Sequence, residues 1–286
     1  MSFSGRTAVS KTANGGSIPS TPAASYKLNV GCVNRQVMQN KSIYIIIVLT
    51  SVLIIGAVLY KLQNQKTNII NNPNQQSSEY NVQIDPANFT SQINNKYFTL
   101  KPGAKFSYEN KTIEGLERIE IVVTNDTKDV MDVKTIVVWD RVWLDDELIE
   151  DTRDWYAQDK DGNVWYFGEA VDNYENGKIL DHKGAWEAGV NGAKPGIVMK
   201  GSPKVGDSYR QEFYKGEAED MGDVVALDKK VSVPFGTFEN CLQTRDWSTL
   251  DNTLNEYKYY CPDVGFVTME ESVSGSEKIE LVNVKF

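Results

Sequence analysis

Between Ser42 and Tyr60 the chain reads SIYIIIVLTSVLIIGAVLY, nineteen residues without a charge. At the rise of an α-helix such a run spans roughly 28 Å, close to the hydrocarbon thickness of a bilayer. Lys41 and Lys61 bracket it, and Tyr44 and Tyr60 stand where interfacial aromatics belong. A cleaved signal peptide would show a shorter apolar region, a shorter basic leader and a small-residue cleavage site, and the sequence fits none of these. The run predicts one retained transmembrane helix, with the rest of the chain divided between its two sides.

Charge sets the direction. Arg6, Lys11, Lys27, Arg35 and Lys41 lie in residues 1–41 without a single acid, a charge of +5. By the positive-inside rule this arm stays cytoplasmic. With those five and Lys61 set aside from the 30 basic residues, the 39 acids leave residues 62–286 at a net charge of −15. Such a surface repels nucleic acid, which is excluded as a partner. The expected location is the cell membrane, crossed once, with the C-terminal domain extracellular or periplasmic.

Four segments follow. Residues 1–41, rich in Ser, Thr, Gly, Ala and Asn, hold too few apolar side chains to offset the entropy of ordering and read as a disordered arm. Residues 42–60 are the helix. Residues 61–95, with nine Asn or Gln in Gln63–Gln76 alone, read as a polar stalk. Residues 96–286 then form the extracytoplasmic domain, and all six Trp fall within it.

The signal in that domain is β. Leu116–Asn125, Val130–Leu144 and Glu147–Lys160 are rich in Val, Ile, Thr and aromatics, with partial alternation and turn residues between them. Further strands are expected at Asp207–Lys215, Gly236–Trp247, Glu256–Cys261, Gly265–Ser272 and Lys278–Phe286. The fold class is mainly β: a single transmembrane helix followed by a curved antiparallel sheet, or open-barrel-like meander, of about a dozen strands. Asp145-Asp146 reads as one hairpin turn. Asp161-Gly162 reads as another, a two-residue turn that sets Tyr156 opposite Phe167 and Gln158 opposite Trp165. Between His182 and Asp207 lie six glycines and two prolines without periodicity, either a lid or a strap that closes one end of the sheet.

Cys241 and Cys261 are equidistant from Asp251, so simple antiparallel pairing places them opposite one another, in register for a disulfide. Catalytic signatures are lacking: no G-x-S-x-G, H-E-x-x-H, P-loop or C-x-x-C occurs, and His182 is the one histidine. No cofactor is expected. Glu217, Glu219, Asp220 and Asp223 form an acidic cluster, a weak candidate for a divalent cation or for the paired carboxylates of a hydrolase, with a solvated loop as the ordinary alternative. The aromatic set is more unusual. Trp139, Trp155, Tyr156, Trp165, Phe167 and Trp186 either fill a core or line one face of a curved sheet as an apolar ligand cavity.

The segments DWYAQDKDGNVWYFGEA, GAWEAGVNGAKPGIVM, GDSYRQEFYKGEAEDMGDV and EYKYYCPDVGFV resemble a recurring family of uncharacterised prokaryotic membrane-anchored or secreted envelope proteins, over roughly Tyr97 to Phe286. The resemblance implies a secreted or tethered β domain and brings no activity or site residues with it. Members often carry a small residue where this chain has Cys261, which would make the disulfide peculiar to this sequence. The expected function is a tethered, non-enzymatic domain that binds an apolar or amphipathic ligand such as a lipid. A structural or protein-binding envelope module is the first alternative and a carboxylate-dependent hydrolase the second.

Overall fold

Alternating burial and short turns give this chain its form. A computed structural model describes residues 80–286, other than Asn252 and Ser276. The helix expected at 42–60, the arm at 1–41 and the stalk as far as residue 79 lie outside the described residues. Among the described residues no helix is long and apolar enough to cross a membrane.

Among the described residues eighteen strands succeed one another. The first three, β1 (Phe89–Thr90), β2 (Ile93–Asn94) and β3 (Thr99–Leu100), are short. A run of long strands follows: β4 (Lys105–Lys111), β5 (Leu116–Val130), β6 (Val133–Leu144), β7 (Glu147–Asp159) and β8 (Val164–Glu175). Short pieces come next, β9 (Lys178–Asp181), β10 (Trp186–Glu187), β11 (Lys194–Met199), β12 (Ser208–Arg210) and β13 (Glu212–Phe213). The chain ends on β14 (Asp220–Val233), β15 (Gly236–Ser248), β16 (Asn255–Cys261), β17 (Phe266–Ser272) and β18 (Lys278–Lys285).

Thirteen of these pair side by side in the order β12, β14 to β18, β4 to β8, β11, β13. The two ends of that path, β12 and β13, are separated in sequence by Gln211 alone. The first half of this segment bonds to β14 and the second to β11, so the sheet curls into a nearly closed antiparallel barrel. At the seam, a Cβ added to Gly196 would overlap the backbone of Gln211, and only glycine allows the two chains so near. The segment 182–207 carries β10 and β11, and β11 pairs with β8 and β13 at the seam.

Tight hairpins fix the register. Asp145 and Asp146 both take positive φ, 47° and 72°, and join Leu144 to Glu147 in a primed turn. The next hairpin departs from expectation. It has a three-residue loop, Lys160 to Gly162, closed by Asp159 N–H donating to the Asn163 carbonyl at 2.9 Å, with Gly162 at φ 82°. Tyr156 therefore faces Tyr166, and Ala157 faces Trp165. One residue of slip sends every side chain of a strand to the opposite face.

The folded unit also starts earlier than position 96. Tyr80 donates from its hydroxyl to the Pro195 carbonyl at 2.9 Å, and Ile93 is buried in the core. The β2–β3 hairpin crosses one end of the barrel. There Gln158 Oε1 accepts the backbone N–H groups of Asn94 and Asn95, both at 2.9 Å, and Phe98 enters the interior. Its ring lies 4.9 Å from Phe266, 5.4 Å from Tyr156 and 6.3 Å from Tyr260. Those three partners come from β17, β7 and β16, so one plug joins opposite walls. With Phe106, Ile121 and Val138, this end is packed with apolar groups.

Candidate functional site

Beyond that apolar floor the interior changes character. On β6 the fully or nearly buried residues are Val138, Asp140 and Val142, and on β7 they include Thr152, Asp154 and Tyr156. Because strand side chains alternate, each acid points the same way as its apolar neighbours two positions away, into the barrel. Cross-strand pairing extends the row: Asp154 faces Glu169, Asp246 faces Glu256, and Lys258 faces Glu270. Glu117, Glu212 and Asp220 are buried as well. Buried carboxylates thus come from β5 to β8, β13 to β15 and β17, and Tyr108, Tyr156, Tyr166, Tyr209 and Tyr260 are buried with them.

One side of this acidic interior has a cation. Lys258 Nζ lies 3.0 Å from Glu256, 3.4 Å from Asp246 and 3.6 Å from Glu270, and its side chain is 2% exposed. Burial disfavours its charge, yet these three carboxylates outweigh burial and hold it protonated well above the usual lysine range. Asp246 also accepts a hydrogen bond from Gln211 Nε2 at 3.1 Å.

The facing side is different. Among the described residues no ion pair reaches Asp154, Glu169 or Glu212. Asp154 Oδ1 accepts from the Tyr166 hydroxyl at 2.7 Å, and Glu212 Oε2 accepts from Trp186 Nε1 at 3.1 Å. Burial pushes Asp154 up to about 6, against the pull of the α-amino charge and of the Tyr166 hydrogen bond. It pushes Glu212 up to about 8, helped by Asp220. Glu169 rises well above the carboxylate range through burial, then through Asp154 and Glu212. Asp154 Oδ2, Asp246 Oδ1, Thr244 Oγ1 and the hydroxyls of Tyr156 and Tyr209 are buried without a hydrogen bond among the described residues. Each such group costs about 1–3 kcal/mol in a closed interior.

The six aromatics expected to line one cavity are divided between the faces. Tyr156 and Trp186 are inside. Tyr156 stacks on Tyr166 at 4.9 Å and 18°, and Trp186 meets the edge of Tyr166 at 5.4 Å. Trp139 is on the outer face between two guanidinium groups, Arg141 at 3.8 Å and Arg153 at 4.2 Å. Trp155 is also outside, under the Lys128 ammonium at 3.5 Å. Trp165 and Phe167 pack outward against Phe89, which spans them at 6.0 and 5.6 Å. A single aromatic lining is therefore corrected to an inner Tyr156–Tyr166–Trp186 group and an outer set.

The acidic cluster after Lys215 does not converge either. Glu217 sits exposed in a turn. Glu219 accepts from Gly216 N–H at 2.9 Å and Thr249 Oγ1 at 2.8 Å. Asp223 takes Trp247 Nε1 at 3.0 Å on the outer face, whereas Asp220 turns inward. No group of three or more His, Cys, Asp or Glu among the described residues is placed to hold a metal ion. Cys241 and Cys261 form a disulfide with Cα atoms 4.2 Å apart, in the β15–β16 ladder where Leu242 faces Tyr260.

The sequence reading missed the inward acids. The signal was present in β6, where Asp140 shares the phase of Val138 and Val142. Comparison with known proteins finds no family model, curated protein or solved structure that matches the chain.

Proposed function

We propose that this chain is a membrane-tethered binding module whose barrel, displayed outside the cytoplasm, receives an amphipathic ligand. The apolar run at 42–60 supports the tether and the direction. The interior supports the ligand class, since an apolar floor around Phe98 meets a half lined by carboxylates and phenols. One observation carries the reading: buried, inward-facing polar atoms on Asp154, Tyr156, Tyr209, Thr244 and Asp246 lack a hydrogen bond among the described residues. A barrel built only as a spacer gains from apolar side chains at such positions, because unpaired polar groups oppose folding. The outer stack of Arg153, Trp139 and Arg141 favours the rival reading, a protein-binding envelope module.

Native mass spectrometry of the full chain, extracted mildly from its own membranes, separates the two. The expected result is a reproducible additional mass of lipid size. It should persist in Trp165→Ala, on the outer face, and disappear in Asp154→Asn. Bare protein mass across several mild preparations would refute the reading and favour the envelope module.

A further inference from the structure

We infer that Lys258 and Asp246 condense to an intramolecular amide, so that the chain cross-links its own barrel between β15 and β16. The inference goes beyond the ligand reading and does not depend on it, because both reactants are side chains of this chain and no cavity is required.

The geometry brings the two groups together in a dry place. Their side chains are 2% and 4% exposed, and Lys258 Nζ lies 3.4 Å from Asp246 Oδ2. They stand on neighbouring strands: Thr244 faces Lys258 and Asp246 faces Glu256, so amine and carboxylate meet on a diagonal of the ladder. Gln211 Nε2 donates to the same Oδ2 at 3.1 Å and fixes the carboxylate from the other side. Reacting groups held about 3–3.5 Å apart react with far higher effective concentration than free ones. Glu256, 3.0 Å from Nζ and opposite Asp246 in the ladder, is placed to carry protons between them. Glu270 closes the far side from β17, where it faces Lys258 with its carboxylate 3.6 Å from Nζ.

The ion pair contains every atom that the reaction needs. Nζ gives one proton to Glu256, which passes a proton to Asp246 Oδ2 and leaves a neutral amine beside a neutral carboxyl. The same carboxylates that hold Lys258 protonated are thus the acceptors of its proton. The Nζ lone pair then attacks Asp246 Cγ, a C–N bond forms, and the carbonyl π pair moves to Oδ1. A second proton passes from the nitrogen through Glu256 to Oδ2. The C–Oδ2 bond breaks, Oδ2 departs as water with the bonding pair, and an Oδ1 lone pair restores the carbonyl. In sum, an ammonium and a carboxylate become a secondary amide and one water. Glu256 ends as it began, and nothing is oxidised or reduced.

Burial supplies the direction. In bulk water the hydrolysed side of this equilibrium is favoured, because both charges are well solvated there. Inside the barrel those charges are costly, and condensation replaces them by a neutral amide while the water leaves. The product would clamp the β15–β16 hairpin beside its turn, whereas the Cys241–Cys261 disulfide clamps the opposite end of the same ladder. Unlike the disulfide, the amide would survive a reductant.

The test is mass spectrometry of the full chain purified from its own membranes, with the disulfide reduced. The bulk of the protein should be lighter than its sequence by one water. Trypsin does not cleave after an acylated lysine, so it should leave a fragment running from Asp246 through Lys258 to Lys278, also lighter by one water. That fragment should stay in one piece when a single backbone bond between Trp247 and Tyr257 is broken, because the amide closes a ring there. Lys258→Arg keeps a cation but cannot form the bond, and should show the full mass. Glu256→Gln removes the proton carrier and should leave most of the chain at full mass, cleavable after Lys258. Parent protein at full mass and cleaved after Lys258 would overturn the inference, and this result needs no variant to fold. A ring closed instead between Lys258 and Glu270, or a water loss that persists in Lys258→Arg, would also overturn it. Complete condensation in Glu256→Gln would overturn the role given to Glu256.

Discussion

Asp154→Asn should make the protein more stable at neutral pH and less sensitive to pH. Asp154 is buried on β7, and its folded-state pKa is raised from 3.8 to about 6, chiefly by burial. The sign follows from proton linkage. Between those two values the folded chain holds a proton that the unfolded chain has released, so stability is full below about pH 4 and falls as pH rises towards the folded pKa. Taking 3.8 unfolded and about 6 folded, one such group removes roughly 2 kcal/mol between pH 4 and pH 7.5. Asparagine has no charge to bury, and its Oδ1 can still accept from Tyr166, as Asp154 Oδ1 does at 2.7 Å. Removing the carboxylate also eases the ionisation of Glu169, which Asp154 repels, and that acts in the same direction. Urea unfolding followed by tryptophan fluorescence, at pH 4 and pH 7.5 for both proteins, gives the double difference directly. The variant's loss of stability between the two pH values should be smaller by about 2 kcal/mol. A variant as pH-sensitive as the parent, or one weakened at pH 7.5 but not at pH 4, would refute the reasoning, because Asp154 would then be ionised and well paired.

Two other substitutions probe the framework. Lys258→Met removes the buried cation that Glu256, Asp246 and Glu270 share, and should cost about 3–5 kcal/mol at pH 7.5 in urea unfolding. An unchanged midpoint would refute the view that this shared cation stabilises the fold. Replacing Cys241 and Cys261 together by Ala opens a cross-link of sequence separation 20 and should lower stability by about 3 kcal/mol in the chain-entropy account. Two titratable thiols in the non-reduced parent would contradict the bond.

Strand content and antiparallel order were legible because they rest on local signals. Asp145-Asp146 lies between two apolar-rich strands, and the structure turns there, with both residues at positive φ. Register across Asp161-Gly162 was not, because the same residues serve a two-residue and a three-residue loop, and the choice decides which face Trp155 and Tyr156 occupy. β14 escaped notice for another reason. Its middle, Asp228 to Lys230, is charged and exposed, and its pairing with β15 is interrupted by three register shifts. The closing seam was invisible in principle. Nothing near Gln211 announces that residues on either side of it bond to strands at opposite ends of the sheet.

The interior acids raise a harder question, because the rule that polar side chains face water places them wrongly. In β6 the side chains of Trp139, Arg141 and Trp143 face out and those of Val138, Asp140 and Val142 face in, so the largest apolar rings are outside and a carboxylate is within. The outer rings are stabilised there by stacked guanidinium groups, with Arg141 3.8 Å from Trp139 and 5.1 Å from Trp143. On the Asp154 side the inner acids are held by hydrogen bonds from Tyr166 and Trp186, and burial still raises their pKa. Their burial opposes folding, and the packed floor of Phe98, Phe106 and Phe266 must supply the stability that they remove. A site that weakens its own fold persists where binding uses it. Asp154→Asn sharpens that argument, because the substitution that stabilises the chain at neutral pH should be the one that loses the ligand. If the variant gained stability and kept its cargo, the acids would be a burden on the fold without a role in binding.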